Sequence, residues 1–512
     1  MLLDELVSAA EAVASTRSRL AKIETLAQLL RRLAGESPEE VATAVGLLVA
    51  KPRQGRVGVG WRGLAHARGG MAPAELPSLT VGEFDAFLDR LALTSGTGSG
   101  AARAELLGGF MRRATEREQR FIVGVLLGEI RTGALEGVLA DAIAAAGGRP
   151  LALVRRAAML AGDLGETARI AVTGNEDELS AVGLVVGRPV LPMLAGSAKT
   201  PAEALASTGE ASVEFKLDGA RIQVHRAGGD VRVFTRSLAD ITHRVPEVVA
   251  VVRTLPVRDV ILDGETLTLD EGGAPRPFQE TMSRFGAEGA REAVLRPWFF
   301  DLLHVDGRDL LDEPLAVRRA ELARLAPDHM VPGEVTADPA AAERVSREAL
   351  ASGHEGIVVK AIGSAYAAGR RGSSWIKVKP VHTYDLVVLA AEWGYGRRRG
   401  WLSNLHLGAY DPTGEFGEPG GFVMVGKTFK GLTDEILRWQ TEHFPSIEAR
   451  RDEHAVYLEP VTVVEIALDG VQRSSRYPGG IALRFARVKR YREDKRPDDA
   501  DTIQTLRALL RE

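Results

Sequence analysis

The segment EFKLDGAR carries three charged side chains at alternate positions. Glu214, Lys216 and Asp218 are separated by single apolar residues, a spacing that would place all three on one face of a β-strand. A lysine among carboxylates and other cations has the chemistry of a nucleophile for phosphorus, because clustered cations and a bound metal favour its neutral form. On this segment alone, the solvated face of an amphipathic strand remains the alternative interpretation.

Charged residues in three other strand-like segments would complete a site for covalent nucleotidyl transfer. ILDGETL, HEGIVVK and SSWIKVKP place them at or near strand ends: Glu265, Glu355, Lys360, Lys377 and Lys379. Lysines and a metal can hold the charge that develops on a phosphate under attack, and carboxylates supply the oxygen ligands that Mg²⁺ prefers. Together these residues predict lysine-based nucleotidyl transfer assisted by a divalent cation.

A second nucleotide signal, GGFVMVGKTFKG, matches the P-loop pattern G-x-x-x-x-G-K-[ST] from Gly421 to Thr428. A P-loop needs a tight, glycine-tolerant turn that opens a helix. Its variable positions here are FVMV, an aromatic and β-branched run that favours a strand, and a helical pattern begins only near Thr433. We therefore interpret this segment as a strand that ends in a basic turn.

Length and composition limit the class of protein. A chain of 512 residues with 45% hydrophobic and 26% charged residues is typical of a soluble protein with roughly two to four domains. The chain contains no cysteine, which excludes disulfides and cysteine-ligated metal sites. No long apolar run and no basic leader is present, so we expect a cytoplasmic protein that does not act at a membrane. The net charge of −4 argues neither for nor against nucleic acid.

Changes in periodicity divide the chain into four parts. Residues 1–185 show helical spacing, and residues 186–204, with their three prolines, predict a linker. Residues 205–380 mix helices with alternating strand patterns, including a hairpin across AGGD. Residues 381–512 show short strands and turns that predict an OB-fold β-barrel. The predicted fold class is therefore multi-domain: an all-α N-terminal domain, an α+β domain and a C-terminal OB-fold β-barrel.

Seven segments, in order, resemble the motifs of the ATP-dependent DNA ligases, in the archaeal and eukaryotic-type three-domain form of the covalent nucleotidyltransferase superfamily. They are KLDGAR (216–221), FTRS (234–237), LDGE (262–265), FFDLL (299–303), EGIVVK (355–360), WIKVK (375–379) and RFARVKRYREDK (484–495). FIVGVLLGEIRTG (121–133) is similar to the signature of the DNA-binding domain that precedes the catalytic core. The resemblance covers nearly the whole chain and implies a DNA-binding domain over 1–185 and an adenylation domain over 205–380.

The resemblance also implies roles for individual residues. Lys216 would become the lysyl–AMP adduct, Glu214 would accept a hydrogen bond from the adenine amino group, and Phe300 would stack on the ring. Arg221 and Arg236 would contact the nucleotide and the 5′-phosphate of a nick. Further nucleotide contacts would come from Lys360, Arg371, Lys377 and Lys379, the lysines holding phosphates.

Metal, leaving-group and DNA contacts follow in the same way. Glu265 and Glu355 would bind Mg²⁺ or Mn²⁺, Glu265 also serving the ribose. The last motif would orient the pyrophosphate through Arg487, Arg490, Arg492, Asp494 and Lys495. DNA contacts would come from Arg131, Lys427 and Lys430. One departure from the family pattern is visible: Ala486 stands where many relatives have proline, which changes backbone rigidity and not charge.

The activity implied is the sealing of nicks in duplex DNA, 5′-phosphate to 3′-hydroxyl, through lysyl–AMP and DNA-adenylate intermediates, in replication, repair or recombination. The enzyme would be a monomer that encircles nicked DNA, and a sliding clamp would be a further partner. mRNA-capping guanylyltransferases and RNA ligases share K-x-D-G but do not need the long helical domain with LGEIRTG. NAD-dependent ligases usually carry a four-cysteine zinc module. A non-catalytic DNA scaffold would be expected to have lost Lys216, Glu355 or Lys377.

Overall fold

The computed structural model describes most of the 512 residues, and of Arg371 it describes only the backbone. The described residues are 1–55, 57–59, 64, 72–96, 98–130, 136–270, 275–276, 281, 294–367, 371–380, 382–395 and 398–510.

The N-terminal part folds into helices around an apolar core. Thr80 and Thr115 each begin a helix with a capping box, in which the threonine side chain and a glutamate three residues later bond each other's backbone N–H. The rings of Phe84, Phe87 and Phe110 stack inside the core. In chain order the helices are α1 Leu3–Ser15, α2 Arg19–Glu36, α3 Val41–Leu48, α4 Val81–Leu93, α5 Ser99–Arg113, α6 Glu116–Leu127, α7 Glu136–Gly147, α8 Leu151–Ala161, α9 Leu164–Thr173 and α10 Glu176–Ser180.

Within the described ranges, no single helix is long and apolar enough to cross a membrane. Helices α7 and α8 reach that length and apolarity only when they are taken together, and the pair is bent by 120°.

The middle part alternates strands and helices. Its strands are β1 Leu194–Ala198, β2 Ala211–Lys216, β3 Ala220–Ala227, β4 Asp230–Thr235, β5 Asp259–Thr268, β6 Leu295–Val305, β7 Arg308–Asp309, β8 Gly333–Thr336, β9 Gly356–Ala361 and β10 Arg371–Val378. Its helices are α11 Pro201–Thr208, α12 Pro246–Thr254, α13 Leu315–Leu325 and α14 Pro339–Ala351.

These strands form two five-stranded sheets within the described ranges. One sheet has the order β1-β10-β9-β2-β8 and the other the order β4-β3-β5-β6-β7. β2 and β9 are antiparallel, with Lys216 opposite Gly356 and Ser212 opposite Lys360. The predicted hairpin is confirmed, because β3 and β4 pair with Ala227 opposite Asp230 across a two-glycine turn. The mixed α+β class predicted for this part is therefore correct.

The structure corrects the linker predicted over 186–204. β1 lies inside that segment and pairs in parallel with β10, so the segment supplies an edge strand of the first sheet. Val190 and Met193 are buried. The prolines that suggested a linker fit this arrangement, since Pro201 stands at the first position of α11, where its missing N–H costs nothing.

The C-terminal part is a strand-rich domain with a curled sheet. β11 pairs with β12, β15 and β16 along its length, which bends the sheet around an apolar core. The strands are β11 His382–Trp393, β12 Leu402–Asp411, β13 Gly421–Thr428, β14 Glu448–Arg451, β15 Ala455–Leu458, β16 Val463–Leu468, β17 Gly470–Arg473, β18 Ile481–Arg484 and β19 Arg487–Tyr491, with helices α15 Asp434–His443 and α16 Ile503–Arg507. The predicted three-part fold class is confirmed.

The P-loop-like segment is a strand. Gly421 to Thr428 form β13, which pairs with β12 over its whole length. Lys427 lies opposite His406 in this ladder, and no helix follows directly, since α15 starts at Asp434. The interpretation as a strand is confirmed, and the segment lacks the loop and helix N-terminus that a P-loop requires.

Candidate nucleotidyl-transfer site

The site is a cleft to which both sheets of the middle part contribute. Lys216 ends β2 in the first sheet and Arg221 lies on β3 in the second, so the turn Leu217–Gly219 crosses between the sheets. The turn needs glycine at position 219, because a Cβ there would lie 2.4 Å from the carbonyl oxygen of Thr266. The cleft has a volume of about 1840 Å³ and is lined by residues of both sheets.

Lys216 is held by Glu355. The Nζ atom of Lys216 donates to the Glu355 carboxylate, and the Glu355 N–H donates to the Lys216 carbonyl at 3.0 Å. Both side chains remain partly accessible, at 25% and 18% exposure. The antiparallel pairing of β2 with β9 produces this contact, because it places the residue before β9 beside the end of β2. Lys216 lines the cleft, and Glu355, which lines a smaller neighbouring cavity of about 270 Å³, is in position to accept its proton.

Glu265 brings a second carboxylate to the cleft from β5. It lies opposite Arg221 in the β3–β5 ladder and lines the cleft with Lys216. Burial raises the pKa of Glu265 to about 7, while Lys216 and Arg221 act in the opposite direction. Its charge therefore changes near neutral pH, in a cleft that already holds the ion pair of Lys216.

Glu214 and Lys360 form a buried pair at the other end of β2. The Nζ atom of Lys360 lies 2.5 Å from Oε2 of Glu214, and Ser212 donates to Oε1 at 2.7 Å. The same ammonium lies over the rings of Phe300 and Trp375, at 4.3 and 4.5 Å from their centroids. Arg319 donates to Ser212 at 2.9 Å and lies 3.9 Å from Glu214, so this end combines aromatic rings with a fixed network of charged groups.

Lys360 contacts the residues expected to bind the base. Its strand partner is Ser212, and its Nζ atom reaches Oε2 of Glu214, two residues before Lys216 on β2. Its contact with Glu214 and Phe300 was not expected for a phosphate ligand, and its role toward phosphate stays a prediction. Sequence spacing could not show this, because the register between β2 and β9 decides which end of the cleft Lys360 reaches.

Arg221 is held by groups that the sequence did not single out as site residues. Its guanidinium donates to both carboxylate oxygens of Asp263, at 3.0 and 2.7 Å, and to the carbonyl of Met193 at 2.7 Å. Tyr366 donates to the same carboxylate at 2.7 Å. The only sequence signal for Asp263 is its place inside LDGE, and nothing marks Tyr366, which lies in a segment between β9 and β10.

The carboxylates of the cleft suit a metal that arrives with its substrate. Among the residues that the structure describes, no three histidine or acidic side chains cluster closely enough to hold a metal ion alone. Mg²⁺ is usually bound by one or two carboxylates together with substrate phosphates and water. Glu265 and Glu355 supply that number of hard oxygen ligands, so the donor set fits Mg²⁺ bound with a nucleotide.

Three family models of the DNA ligases match the chain. An ATP dependent DNA ligase domain matches residues 192–379, a C terminal region of the same family matches residues 398–495, and a DNA ligase N terminus matches residues 65–144. A probable DNA ligase of Pseudarthrobacter chlorophenolicus is 69% identical over 511 residues, which cover 100% of both chains. A probable DNA ligase of Rhodococcus opacus is 55% identical, again over 100% of both.

The chain belongs to the ATP-dependent DNA ligases.

Enzymes of this family use ATP to seal nicks in duplex DNA, with release of AMP and diphosphate. The resemblance inferred from the seven motifs is thereby confirmed. A solved structure titled Pmar-Lig_PreS3 has the same overall fold, with a TM-score of 0.64 over 95% of this chain and 99% of that one, at 18% identity.

The remaining predicted nucleotide contacts are distributed unevenly. Arg236 and Lys377 line the cleft of the ligase. Lys379 instead pairs with Asp469 of the C-terminal domain, at 2.6 Å. The backbone of Arg371 pairs with Leu194 of β1. Arg131, one of the predicted DNA contacts, lies outside the described residues.

The last motif of the ligase contacts one residue of the cleft, Asp218, through its own first residue, which lines the neighbouring smaller cavity. Arg484 donates to Asp218 at 3.1 Å, a contact that the sequence did not predict. The five residues expected to orient pyrophosphate are Arg487, Arg490, Arg492, Asp494 and Lys495. They form ion pairs within the C-terminal domain, with Asp469, Glu465, Asp385 and one another. In the described structure none of them lines the cleft. Their role stays a prediction.

The two predicted DNA contacts of the C-terminal domain are already engaged with protein groups. Lys427 donates to Glu392, which also accepts from His406 at 2.8 Å and Asn404 at 2.7 Å. Burial works against the charge of Glu392, but these three donors outweigh it and lower its pKa to about 2. Lys430 lies over the Phe485 ring, 5.2 Å from its centroid. DNA contact by Lys427 therefore requires exchange of its carboxylate partner for a phosphate.

Proposed function

We propose that Lys216 is the residue on which this ligase carries AMP. The observation that supports this most directly is the contact between the Lys216 amine and the Glu355 carboxylate, in a cleft whose other end is the apolar pocket of Glu214 and Phe300. A nucleotide with its base in that pocket would extend its phosphates along β2 toward Lys216. The cleft thus offers a base pocket and a nucleophile in one line.

In the first step the Nζ atom of Lys216 attacks the α-phosphorus of ATP. A P–N bond forms, the bond from that phosphorus to the bridging oxygen breaks, and pyrophosphate leaves. Lys216 must give up a proton to attack, and the Glu355 carboxylate is in position to accept it. Glu265 and Glu355 are the residues that would hold Mg²⁺, which would supply neutralisation of the triphosphate charge. Lys377, which lines the cleft, would share the charge that develops.

The second step returns Lys216 to its starting state, and the third seals the nick. An oxygen of the DNA 5′-phosphate attacks the phosphorus of the adenylate, the P–N bond breaks, and the Lys216 amine regains a proton. The 3′-hydroxyl of the nick then loses its proton to solvent and attacks the phosphorus of the 5′-phosphate, the bond from that phosphorus to the bridging oxygen breaks, and AMP leaves. Arg236, which is exposed and lines the cleft, is placed to meet the 5′-phosphate.

Base recognition would involve Glu214, Lys360 and Phe300. The Glu214 carboxylate accepts from the amino group of adenine, and the Lys360 ammonium can donate to an adjacent ring nitrogen. Phe300 supplies the stacking surface. The indole N–H of Trp375, buried beside Lys360, has no acceptor among the described groups, which supports occupancy of this pocket by a ligand with acceptor atoms.

The three parts of the chain would divide the work. The helical domain, residues 1–185, would bind nicked DNA, the middle domain would carry the nucleotide, and the C-terminal domain, residues 381–512, would assist adenylation and then contact DNA. The ligase would act as a monomer around the duplex in the cytoplasm, and a sliding clamp would be an additional partner. Helical-domain residues such as Lys51 and Gly128 line the cleft opposite Lys216, which supports DNA passing between these domains.

The test is retention of label from α-labelled ATP. Wild type, incubated with Mg²⁺ and without DNA, should become covalently labelled, and Lys216→Arg should not, since arginine stays charged at working pH. Lys199→Arg, at an exposed lysine outside the cleft, is the matched control and should label like wild type. Label on Lys216→Arg at the wild-type level would overturn the assignment.

A further inference from the structure

Tyr366 is a buried residue outside the family motifs that touches the machinery of the cleft. It is 2% exposed. Its hydroxyl accepts from the N–H of Met193 at 3.0 Å and donates to Oδ2 of Asp263 at 2.7 Å. Burial, together with Asp263, raises the pKa of Tyr366, so the hydroxyl keeps its proton through the neutral range and remains a donor.

Both partners of this hydroxyl, Asp263 and Met193, are also partners of Arg221. The guanidinium donates to both oxygens of Asp263 and to the carbonyl of Met193. Arg221, Asp263, Tyr366 and Met193 therefore close a ring of hydrogen bonds, here called the Arg221 ring. Four of the five N–H groups of the arginine have acceptors among the described residues, the longest at 3.5 Å to the tyrosine oxygen.

Because the hydrogen bonds of the Arg221 ring form a closed cycle, the orientation of Asp263 depends on Tyr366. Asp263 is 1% exposed, so water cannot readily replace a lost donor. Without the tyrosine hydroxyl, Oδ2 would keep only Arg221 and the N–H of Met193 would be left without its partner, a costly state for a buried group. The carboxylate and the peptide could then both turn, and the guanidinium bound to them would move with them.

We propose that Tyr366 is a positioning residue for Arg221, whose hydroxyl fixes Asp263 and Met193 so that the guanidinium stays at the cleft wall in the orientation that AMP transfer uses. The inference rests on the proposed function, because it takes Arg221 to be a nucleotide contact. Tyr366 itself does not line the cleft in the described structure, whereas Arg221 does, so Tyr366 acts through another group.

The ring of Tyr366 has a separate packing role that a test must keep intact. It meets Trp375 edge to face, with centroids 6.0 Å apart, and belongs to the apolar cluster that joins Met159 and Leu160 of α8 to the middle domain. Tyr366→Phe preserves this ring and removes only the oxygen. Tyr366→Ala would remove both and would not separate positioning from folding.

The experiment is a double-mutant cycle on the single-turnover rate of self-adenylation, measured at saturating ATP and Mg²⁺ without DNA. Tyr366→Phe should lower the rate roughly tenfold, as expected for loss of one hydrogen bond to a charged group. In the Arg221→Lys background, where the bidentate contact with Asp263 is already lost, Tyr366→Phe should cost less than about twofold. Tyr410→Phe, in the C-terminal domain, is the control and should match wild type.

The outcomes of the double-mutant cycle either support or overturn the positioning role of Tyr366. An equal fold-loss in both backgrounds would mean that Tyr366 acts independently of Arg221, and no loss in either would mean that its hydroxyl is not needed; both overturn the inference. Tyr366→Phe should show a cooperative thermal unfolding transition like that of wild type. Its lower rate would then be due to the changed site and not to loss of folding. If wild type itself failed to adenylate, the proposed function would fall, and that outcome is distinct from an additive cycle in an active enzyme.

Discussion

Arg484 donates a hydrogen bond from Nη1 to Oδ2 of Asp218 at 3.1 Å, joining residues 266 positions apart. Asp218 stands two residues after the proposed nucleophile Lys216, and Arg484 begins the last motif of the ligase. With the pair Lys379–Asp469 at 2.6 Å, this contact joins the C-terminal domain to the turn that follows Lys216. Arg484 of β18 therefore lies near the proposed nucleophile, in the wall of the smaller cavity that Glu355 also lines.

Arg484→Ala should slow self-adenylation by at least tenfold and leave the sealing of a pre-adenylated nick within about twofold of wild type. The reason is that only the first step produces pyrophosphate, whose charge a nearby guanidinium stabilises. Arg496→Ala removes an exposed arginine that pairs with Asp498 beyond the motif and serves as the control. Equal losses in both steps would contradict this role. A larger first-step loss for Arg490→Ala would instead assign pyrophosphate to the far end of the motif.

Lys427 and Glu392 should have opposite effects on DNA affinity. Lys427→Ala should weaken binding to nicked DNA and lower the slope of log K against log salt by roughly 0.9, the value for one phosphate contact. Glu392→Gln should strengthen binding, because it releases Lys427 from its carboxylate partner. Neither change should alter self-adenylation. The prediction fails if both variants bind DNA like wild type, or if Lys427→Ala loses adenylation as a P-loop variant would.

Glu265→Gln should stabilise the middle domain at high pH and not at low pH. Burial raises the folded-state pKa of Glu265 from 4.5 to about 7, so ionisation costs stability that begins to appear above pH 4.5 and is complete above pH 7. Glutamine carries no charge and avoids this cost. The melting temperature of the variant should exceed that of wild type by roughly 5 °C at pH 8 and by almost nothing at pH 4.5. A difference that is constant with pH would show that Glu265 does not titrate as stated.

Substitutions at Lys360 and Glu214 should show two separate effects of this pair, one on the stability of the protein and one on its KM for ATP. Lys360→Met leaves Arg319, 3.9 Å away, as the remaining cation of the buried Glu214 and should destabilise the protein by roughly 1–3 kcal/mol. Adding Glu214→Gln removes the poorly paired charge and should restore most of that stability. The double variant should still have a higher KM for ATP than wild type, because both side chains proposed to contact the base have been replaced. Recovery of ATP affinity along with stability would place the pair outside the base pocket.

The local alternation of apolar and polar residues was enough to predict which strands carry the candidate site residues. β2 ends at Lys216, AGGD spans the hairpin between β3 and β4, and FVMV lies within β13. Asp218, which alternation would place on the same strand face as Glu214 and Lys216, instead lies in the turn between β2 and β3. These features depend on period and turn chemistry, both of which are local. They were also enough to reject the P-loop, since the structure it requires is incompatible with that run of side chains.

Register and domain packing could not be predicted in the same way. The pairing of β2 with β9 brings Lys360 to Glu214, and the parallel pairing of β1 with β10 shows that the segment predicted as a linker is a sheet edge. Tyr366 contacts Asp263, 103 residues away in the sequence, and Arg484 contacts Asp218, 266 residues away. Such contacts are fixed by tertiary packing, and a single sequence carries no periodic signal for them.

The identity of the adenylated residue is the most direct test of the central claim. Wild type should be incubated with ATP and Mg²⁺ without DNA, digested under conditions that preserve the P–N bond, and the AMP-bearing peptide sequenced by mass spectrometry. We predict a single modified site at Lys216, and loss of the modification when nicked DNA is added, because AMP passes to the 5′-phosphate. AMP attached to Lys427, Lys360 or any other residue, or an adduct that persists while nicks are sealed, would contradict the account.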